Sequence, residues 1–325
     1  MRLLVLGGTE FVGSALVDEA LSKGWDVTTV NRGSKQTPAG VTSIIRDRRE
    51  GLDIDGEWDV VADTWSWEPR VVRDSARLLA DRAERYVYVS SRSVHSWPTA
   101  QGADEKAPTV DADMDDAGFA DYARAKRGAE LGVLDGFGDR AVIVRPGLIL
   151  GPRENIGRLP YWLARAARGG DILAPGPSDA TFQYVDARDL AAFALSGLAP
   201  GAYSVVNRPG ETTMGELLEL TLEVTNGDGT VRWADPDSLI AAGVEPWMDL
   251  PVWIPAGEDH ATMHGADVTK AFENGLAIRP LRETVSDTWD WLMSIGGVAP
   301  QRPDRPVLGL SHERETQLIT ALIPI

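Results

Sequence analysis

The amino terminus carries the most informative segment of the chain, Arg2-Leu3-Leu4-Val5-Leu6-Gly7-Gly8-Thr9-Glu10-Phe11-Val12-Gly13. Residues 2–6 are typical of a buried strand, and residues 12–23 have helical spacing that ends at Gly24. A glycine-rich turn between a strand and a helix presents backbone N–H groups and the helix dipole to an anion. The segment therefore predicts a site for a dinucleotide pyrophosphate, in which Gly7 permits the tight turn and Gly13 lets the helix pack against the strand.

The alternation of strands and helices continues through the amino half. Further strands are predicted over 26–30, 42–45, 58–62, 86–89 and 141–144, with helices over 70–81 and 119–134. Such alternation is typical of a parallel sheet covered on both faces. We therefore predict an α/β fold: a Rossmann-type doubly wound parallel sheet over residues 1–153, to which the strand and helix of 182–199 return. Residues 154–325 are expected to form mainly a smaller carboxyl-terminal, substrate-binding lobe.

Composition and charge exclude several classes of protein. The 325 residues include 49 acidic and 32 basic side chains, a formal charge of -17 that repels the phosphates of a polynucleotide. No run of eighteen apolar residues is present, so we expect no membrane span. The absence of cysteine rules out disulfides and thiolate metal sites. We expect a cytoplasmic monomer or homodimer that acts on a small molecule.

The residues after the second predicted strand indicate which dinucleotide binds. An NAD enzyme usually has an acidic side chain there to hold the ribose hydroxyls. This chain has Asn31 and Arg32 instead, followed by Lys35. Arg32 is suited to pair with a 2′-phosphate, with Lys35 as a second cation. The sequence therefore predicts NADP rather than NAD, and Asp47 after the third strand is a candidate partner for the adenine amino group.

A tyrosine and a lysine are placed for proton transfer. Tyr122 and Lys126 are four residues apart, on one face of a predicted helix. A phenol has a pKa near ~10, and a neighbouring ammonium moves that pKa toward neutral pH. The polar turn Ser90-Ser91-Arg92-Ser93 follows the fifth predicted strand, where a hydroxyl can bond a substrate oxygen beside the nicotinamide. Glycine loop, serine turn and Tyr/Lys helix together predict hydride transfer.

With these motifs the chain resembles the short-chain dehydrogenase/reductase superfamily, among its extended or atypical members labelled NAD-dependent epimerase/dehydratase. The resemblance is good over residues 1–200, thin over 208–265 and fair to 292. It lies in the glycine loop, in Val89-Ser90-Ser91-Arg92-Ser93-Val94-His95, in Arg145-Pro146-Gly147-Leu148-Ile149-Leu150-Gly151-Pro152, in Tyr184-Val185-Asp186-Ala187-Arg188-Asp189-Leu190-Ala191, and in the segments 267–271 and 287–292.

The resemblance implies a role for each matching residue. Tyr122 is implied as general acid/base, Lys126 as the group that lowers its pKa and holds the nicotinamide ribose, and Ser91 as the hydroxyl that orients the substrate oxygen. The cofactor contacts that it implies, together with those predicted above, are Gly7, Thr9, Glu10, Phe11, Val12, Gly13, Asn31, Arg32, Asp47, Tyr122, Lys126 and Pro146. Such proteins use the cofactor for the hydride and the protein for orientation.

Three positions depart from the family pattern. Glu10 replaces the usual middle glycine, and a carboxylate near a pyrophosphate is unfavourable unless it points to solvent. His95 replaces a usual tyrosine, and Phe182 stands where sugar-nucleotide enzymes commonly have an arginine that grips the diphosphate. The departures favour a less charged, partly apolar substrate. Its candidate contacts are Ser93, His95, Arg153, Trp247 and Trp253.

Two alternatives to an NADP-dependent oxidoreductase stay open. One is a nucleotide-sugar epimerase or dehydratase, in which the cofactor is reduced and reoxidised within one turnover. The other is a noncatalytic dinucleotide-sensing or RNA-binding relative, which the intact Ser91, Tyr122 and Lys126 oppose. His260 and His264 have helical spacing suited to zinc, but no third ligand is evident, and we expect no metal.

Overall fold

The computed structural model describes residues 1–33, 35–119 and 121–323 and contains a large parallel sheet. The strands, numbered in chain order, are Arg2–Leu6 (β1), Asp26–Asn31 (β2), Val41–Ile45 (β3), Trp58–Asp63 (β4), Ala83–Val89 (β5), Ala141–Pro146 (β6), Leu148–Leu150 (β7), Asp171–Pro175 (β8), Tyr184–Asp186 (β9), Gly201–Val205 (β10) and Thr230–Ala234 (β11). Seven strands form the main sheet in the order β10-β6-β5-β4-β1-β2-β3, all parallel. The strand order reverses between β1 and β4, which is the doubly wound arrangement. The predicted α/β fold is confirmed.

Four of the helices cover the two faces of this sheet. The helices in chain order are Phe11–Ser22 (α1), Pro69–Leu79 (α2), Tyr122–Phe137 (α3), Arg158–Arg168 (α4), Ala187–Ala194 (α5), Met214–Thr225 (α6), Pro236–Ala241 (α7), Glu258–His264 (α8), Thr269–Glu273 (α9), Leu281–Ser294 (α10) and His312–Leu322 (α11). Alternate residues of the strands point to opposite faces. On one face they pack against α1 and α5, and on the other against α2 and α3.

Strand β10, the seventh strand of the main sheet, is not among the predicted strands. Residues 201–205, Gly-Ala-Tyr-Ser-Val, contain small and polar residues, and few strands were expected beyond Pro200. In the structure Gly201 pairs with Val142 and Val205 with Pro146, so β10 extends the sheet beside β6. The edge position explains the weak pattern, because an edge strand has a neighbour on one side only. Segments after residue 153 therefore supply part of the main sheet.

The remaining elements form a second cluster around a separate core. Two small parallel pairs, β7 with β9 and β8 with β11, combine with helices α4, α6, α10 and α11. Trp162 and Trp253 are buried at its centre, and Leu318 of α11 packs into the same core. Buried Glu315 bonds Arg165 and ties α11 to α4. Within the described ranges, no helix is both long enough and apolar enough to cross a bilayer.

Candidate active site

The glycine loop lies at the carboxyl end of β1 and opens into α1. Gly7 has φ +121° and its N–H bonds the carbonyl oxygen of Val30, so the turn needs a residue without a Cβ. A Cβ on Gly13 would lie 2.7 Å from the backbone nitrogen of Gly8, so helix and loop are in direct contact. Phe11 and Val12 begin the helix with buried side chains. Their N–H groups have no acceptor within α1, which suits an anion.

Glu10 occupies the N-cap position of α1 without capping the helix, and Thr9 before it is half-buried. The Glu10 carboxylate instead bonds two groups that lie on different loops. Its Oε1 is 2.9 Å from Nζ of Lys35, after β2, and its Oε2 accepts a hydrogen bond of 2.9 Å from Nδ2 of Asn155, after β7. The lysine offsets the charge that disfavours a pyrophosphate. Lys35, predicted as a second cation for a 2′-phosphate, is therefore already paired with Glu10.

The segments after β2 and β3 hold the predicted adenosine contacts. Asn31 ends β2, and its Oδ1 accepts a hydrogen bond from the N–H of Gly33. Arg32 is exposed, and no ion pair or side-chain hydrogen bond of it is found within the described ranges. Asp47 accepts hydrogen bonds from Arg49, whose charge and hydrogen bonds lower the Asp47 pKa. The structure thus leaves Arg32 open to a ligand and gives Asp47 a protein partner.

The serine turn lies at the carboxyl end of β5, two strands from the glycine loop in the sheet. Ser91 is 7% exposed and caps a single 3-10 turn, because its Oγ accepts a hydrogen bond from the backbone N–H of Ser93. The two hydroxyl oxygens are 3.1 Å apart. Pro146 ends the neighbouring strand β6 and is buried. The predicted hydroxyl, the proline and the glycine loop are therefore all at the carboxyl edge of the sheet.

Helix α3 begins at Tyr122 because Asp121 caps it. The Asp121 carboxylate accepts a hydrogen bond from the N–H of Arg124, the common N-cap arrangement. The predicted start at residue 119 was therefore three residues too early. Lys126 lies one turn after Tyr122 and is 2% exposed. Its Nζ donates to the carbonyl oxygens of Trp65 at 2.8 Å and Val89 at 2.7 Å, and it lies 4.8 Å from the ring centroid of Tyr88.

Burial controls the protonation of Lys126. Loss of hydration lowers its pKa to about 7, while the charges of Asp63 and Glu130 act in the opposite direction. The ammonium and the free amine therefore both exist near neutral pH. An ammonium has three N–H donors, and two carbonyls take up two of them. One donor is left for a further acceptor.

A buried carboxylate fixes the inner face of α3 against the sheet. Glu130, on the helix face of Lys126, accepts 2.8 Å hydrogen bonds from Nε and Nη2 of Arg145 and one of 2.6 Å from the Ser90 hydroxyl. Ser90 precedes the candidate catalytic serine, and Arg145 precedes Pro146. The network holds α3, β5 and β6 in one arrangement. Ser90 and Arg145 belong to quoted motifs and Glu130 to the predicted helix, but no sequence pattern shows their pairing.

Tyr122 is half-buried and faces several cations. Burial raises its pKa, and the nearby Ser91 hydroxyl and the charges of Arg305, Arg158 and Arg302 oppose that rise. The guanidinium carbon of Arg305 lies 5.5 Å from the ring centroid of Tyr122. Arg302 and Arg305 follow α10 far along the chain, and sequence reasoning missed both. No sequence signal identifies them, since the segment 298–310 has no periodicity.

The predicted substrate contacts divide into two groups. His95 is 3% exposed, and because its Nδ1 must donate to the carbonyl oxygen of Ala107, its Nε2 is a free acceptor in the neutral ring. Burial lowers the pKa of His95, which favours that neutral form. Trp247 is half-buried with φ +68°, and the guanidinium of Arg158 lies 5.1 Å from its ring centroid. These residues, with Ser93, lie near the serine turn or near the arginines.

The other candidates lie elsewhere. Trp253 is 2% exposed in the core of the smaller lobe, so it packs the lobe. Arg153 is exposed and bonds Asp18 on the outer side of α1. Phe182 is 2% exposed and packs near Tyr184. No group of three side chains able to hold a metal ion occurs in 1–33, 35–119 or 121–323.

Comparison with solved structures shows the same fold in two UDP-glucose 4-epimerases and in an enzyme solved with NAD and UDP. UDP-glucose 4-epimerase of Thermotoga maritima, in a structure with UDP-glucose, is 17% identical, with a TM-score of 0.63 over 91% of this chain and 99% of that one. The Bordetella bronchiseptica enzyme WbmG, in complex with NAD and UDP, is 18% identical, with a TM-score of 0.65 over 94% and 99%. UDP-glucose 4-epimerase of Thermus thermophilus, in complex with NAD, is 22% identical, with a TM-score of 0.61 over 92% and 100%.

Sequence comparisons give a result at the level of the family. No curated protein sequence matches the chain significantly. The model of the NAD dependent epimerase/dehydratase family matches residues 3–62 and 69–204, which is more than half of the chain and includes the glycine loop, the serine turn and helix α3. The resemblance drawn from the motifs is confirmed. The chain belongs to the NAD dependent epimerase/dehydratase family.

Proposed function

We propose that this chain transfers a hydride between NADP and a carbonyl or alcohol carbon of a small, partly apolar organic substrate. The observation that carries the proposal is the cluster of Ser91, Tyr122 and Lys126 at the carboxyl end of β5, on the same sheet edge as the glycine loop. A noncatalytic dinucleotide sensor has no need of such a cluster. The cluster brings a hydroxyl, a phenol and an amine, the groups that proton transfer uses, to one edge of the sheet.

The residues present fit a dinucleotide. The first turn of α1 offers N–H groups without an acceptor in the helix to a pyrophosphate, and Gly7 and Gly13 allow the tight turn and the close contact of helix and loop that form this cradle. Lys126 has one donor left for a ribose hydroxyl. The nicotinamide, when bound, gives or accepts the hydride at C4.

The side chains of the protein handle the proton. In the direction of reduction, Tyr122 donates its phenolic proton to the carbonyl oxygen as that oxygen becomes an alcohol. Ser91 holds the same oxygen by a hydrogen bond, and the nearby arginines stabilise the phenolate that remains. In the direction of oxidation, the phenolate takes the proton back from the alcohol. The step balances, because one hydride and one proton are added or removed together.

The choice of NADP is part of the proposal. Arg32 is exposed at the end of β2 and free to pair with a 2′-phosphate. Lys35 is bound to Glu10, so Arg32 is the principal cation offered to that phosphate. The solved structures of the Bordetella and Thermus enzymes contain NAD. The proposed preference for NADP over NAD therefore rests on Arg32 of this chain and not on those structures.

The second candidate function is an epimerase or dehydratase, favoured by the family match and by the epimerases with similar structures. In such a reaction the cofactor returns to its starting state in every turnover. The buried Phe182 opposes this alternative for a sugar nucleotide, since an aromatic ring cannot grip a diphosphate.

Cofactor stoichiometry separates the two functions. The protein saturated with NADPH, and in a second series with NADP+, is mixed with a panel of ketones, aldehydes, oxo acids and sugar nucleotides, and NADPH absorbance and products are measured together. One NADPH consumed for each product formed supports the oxidoreductase. Product formed in the NADP+ series with no net change in NADPH would establish the epimerase or dehydratase instead. Binding of NADPH without turnover of any compound would leave the sensing alternative.

A further inference from the structure

We propose that Arg158 and Arg305 form an anion subsite beside Tyr122, so that the substrate carries a carboxylate or phosphate close to its reacting carbon. The identification of the bound anion as a substrate rests on the proposed function. The capacity to bind an anion depends only on the two side chains. It deepens the proposed substrate class: the partly apolar molecule is also an anion.

The two arginines come from distant parts of the chain. Arg158 is the first residue of α4, whereas Arg305 lies in the segment between α10 and α11. That segment runs beside the loop before α4: the backbone N–H of Arg302 bonds the carbonyl oxygen of Asn155, and a Cβ on Gly157 would lie 2.9 Å from Nε2 of Gln301. Farther along, the N–H of Gly309 bonds the carbonyl oxygen of Met248. The segment is thus held on both sides.

Both guanidinium groups have unused donors. Arg158 lies over the ring of Trp247, and its Nε is buried without a hydrogen-bond partner. Arg305 lies over the ring of Tyr122, and its Nε is likewise buried and unpaired by any hydrogen bond. No side-chain hydrogen bond donated by either residue is found among the described residues. A buried donor without an acceptor costs free energy, and a bound anion would supply the acceptor.

The balance of charge leaves this cluster positive. Arg302 is the third cation, and it forms two hydrogen bonds with Asp304, which also lies 3.8 Å from Nε of Arg305. The two carboxylate oxygens of the buried Glu154 accept hydrogen bonds from the backbone N–H groups of Arg158 and Leu159. Burial raises the pKa of Glu154 to about 7, so its charge is partial near neutral pH. Three guanidiniums therefore face at most two carboxylate charges.

The aromatic surface around the arginines suits an organic anion. Trp247 is half-buried and has a left-handed backbone conformation, and its backbone N–H donates a hydrogen bond to the carbonyl oxygen of Trp253. Such strain in a nonglycine residue persists only where the surroundings enforce it, which is common at ligand sites. The Trp247 ring positions the guanidinium of Arg158 by stacking. An aliphatic or ring portion of the substrate has this indole to contact.

Anion binding to the NADP-loaded protein tests the subsite. Inorganic phosphate and malonate are titrated by calorimetry at constant ionic strength, with NADP filling the pyrophosphate site of the glycine loop. The variants are Arg158→Gln and Arg305→Gln, and Arg232→Gln is the matched control, because Arg232 is exposed on β11 and paired with Asp171.

We expect the wild type to bind at least one of the two anions. Each site variant should lose affinity by about tenfold or more, the effect of removing a charge-assisted hydrogen bond. Arg232→Gln should bind like the wild type. Phosphate alone or malonate alone would identify which anion chemistry the subsite takes. Arg305 lies on a surface segment, so its variant remains informative if Arg158→Gln fails to fold.

Three results would overturn the subsite: no anion binding by the wild type, equal binding by the Arg305→Gln variant, or an equal loss in Arg232→Gln. Failure of the proposed function looks different. A chain that binds phosphate through both arginines but consumes no NADPH keeps the subsite and loses the hydride transfer. If the protein reduces neutral ketones equally well without either arginine, the proposed hydride transfer stands and the subsite is refuted.

Discussion

The Nζ atom of Lys126 lies 2.7 Å from the carbonyl oxygen of Val89, so the helix that carries Tyr122 is bonded directly to the last residue of strand β5. A second bond to the carbonyl of Trp65 reaches the loop after β4. The amine therefore has a structural role in addition to its proposed role at the cofactor. Its burial makes that structural role depend on pH.

The stability of the protein should rise with pH because of Lys126. The folded pKa is about 7 and the ordinary value is 10.5, so the unfolded chain binds one more proton between these limits. The cost of burying the charge is full below pH 7 and disappears as the pH approaches 10.5. One proton corresponds to at most about 1.4 kcal/mol of unfolding free energy per pH unit. Urea unfolding at about pH 7.5 and about pH 9 measures this slope.

The Lys126→Met variant isolates that contribution. It should lack the lysine's share of the slope, whereas Lys106→Met, at an exposed position, should keep the slope of the wild type. Other groups titrate equally in all three proteins, so the difference between slopes belongs to the lysine. Identical slopes in the wild type and Lys126→Met would show that the pKa of the buried amine is not shifted.

The buried ion pair between Arg48 and Asp63 should contribute strongly to the free energy of unfolding. Arg48 donates two 2.7 Å hydrogen bonds to Asp63, which also accepts one from the Tyr86 hydroxyl. Arg48→Met leaves that carboxylate buried without its cation, at an expected cost of about 3–5 kcal/mol. Arg49→Met, which breaks the exposed pair with Asp47, should cost within about 1 kcal/mol. Similar losses in chemical denaturation would contradict this contrast.

Cofactor preference should depend on Arg32. Arg32→Asp places a negative charge where the 2′-phosphate is expected, so the ratio of NADP to NAD affinity should fall by at least about tenfold. Arg2→Asp makes the same change of net charge at the opposite, amino end of β1 and should leave the ratio unchanged. Dissociation constants for both cofactors provide the measurement. An unaltered ratio in Arg32→Asp would refute the assignment of NADP.

Catalysis should require the phenol of Tyr122. Tyr122→Phe removes the proton donor but keeps the ring against which Arg305 stacks. The rate of hydride transfer in a single turnover should fall by about 100- to 10,000-fold, the usual contribution of general acid/base catalysis. Affinity for NADPH should change little, because the pyrophosphate contacts are elsewhere. A variant that retains the full rate would exclude Tyr122 as the acid/base.

The parts of the site that sequence could predict are local. Gly7 and Gly13 are needed by a turn of a few residues, and the four-residue spacing of Tyr122 and Lys126 places them together on any helix. Strand β10 was missed because its short run of small residues has no strand pattern of its own. The doubly wound parallel sheet followed from the alternation of strands and helices, since few topologies satisfy it.

The parts that sequence could not predict are contacts between distant segments. The bond between Glu10 and Lys35, and the position of Arg305 over Tyr122, depend on how loops fold back, and no spacing encodes that. The acceptors of Lys126 are backbone carbonyls, which every residue has. Trp253 was expected at the substrate, but its apolar surface is used in the lobe core.

A crystal structure of the protein with NADPH tests the central claim most directly. The pyrophosphate is expected at the first turn of α1, and the nicotinamide beside Tyr122 at the end of β5. The remaining donor of Lys126 should lie at hydrogen-bond distance from a ribose hydroxyl, about 3 Å. A nicotinamide ring directed away from Tyr122, or a pyrophosphate kept out of the loop by Glu10, would contradict the proposed chemistry.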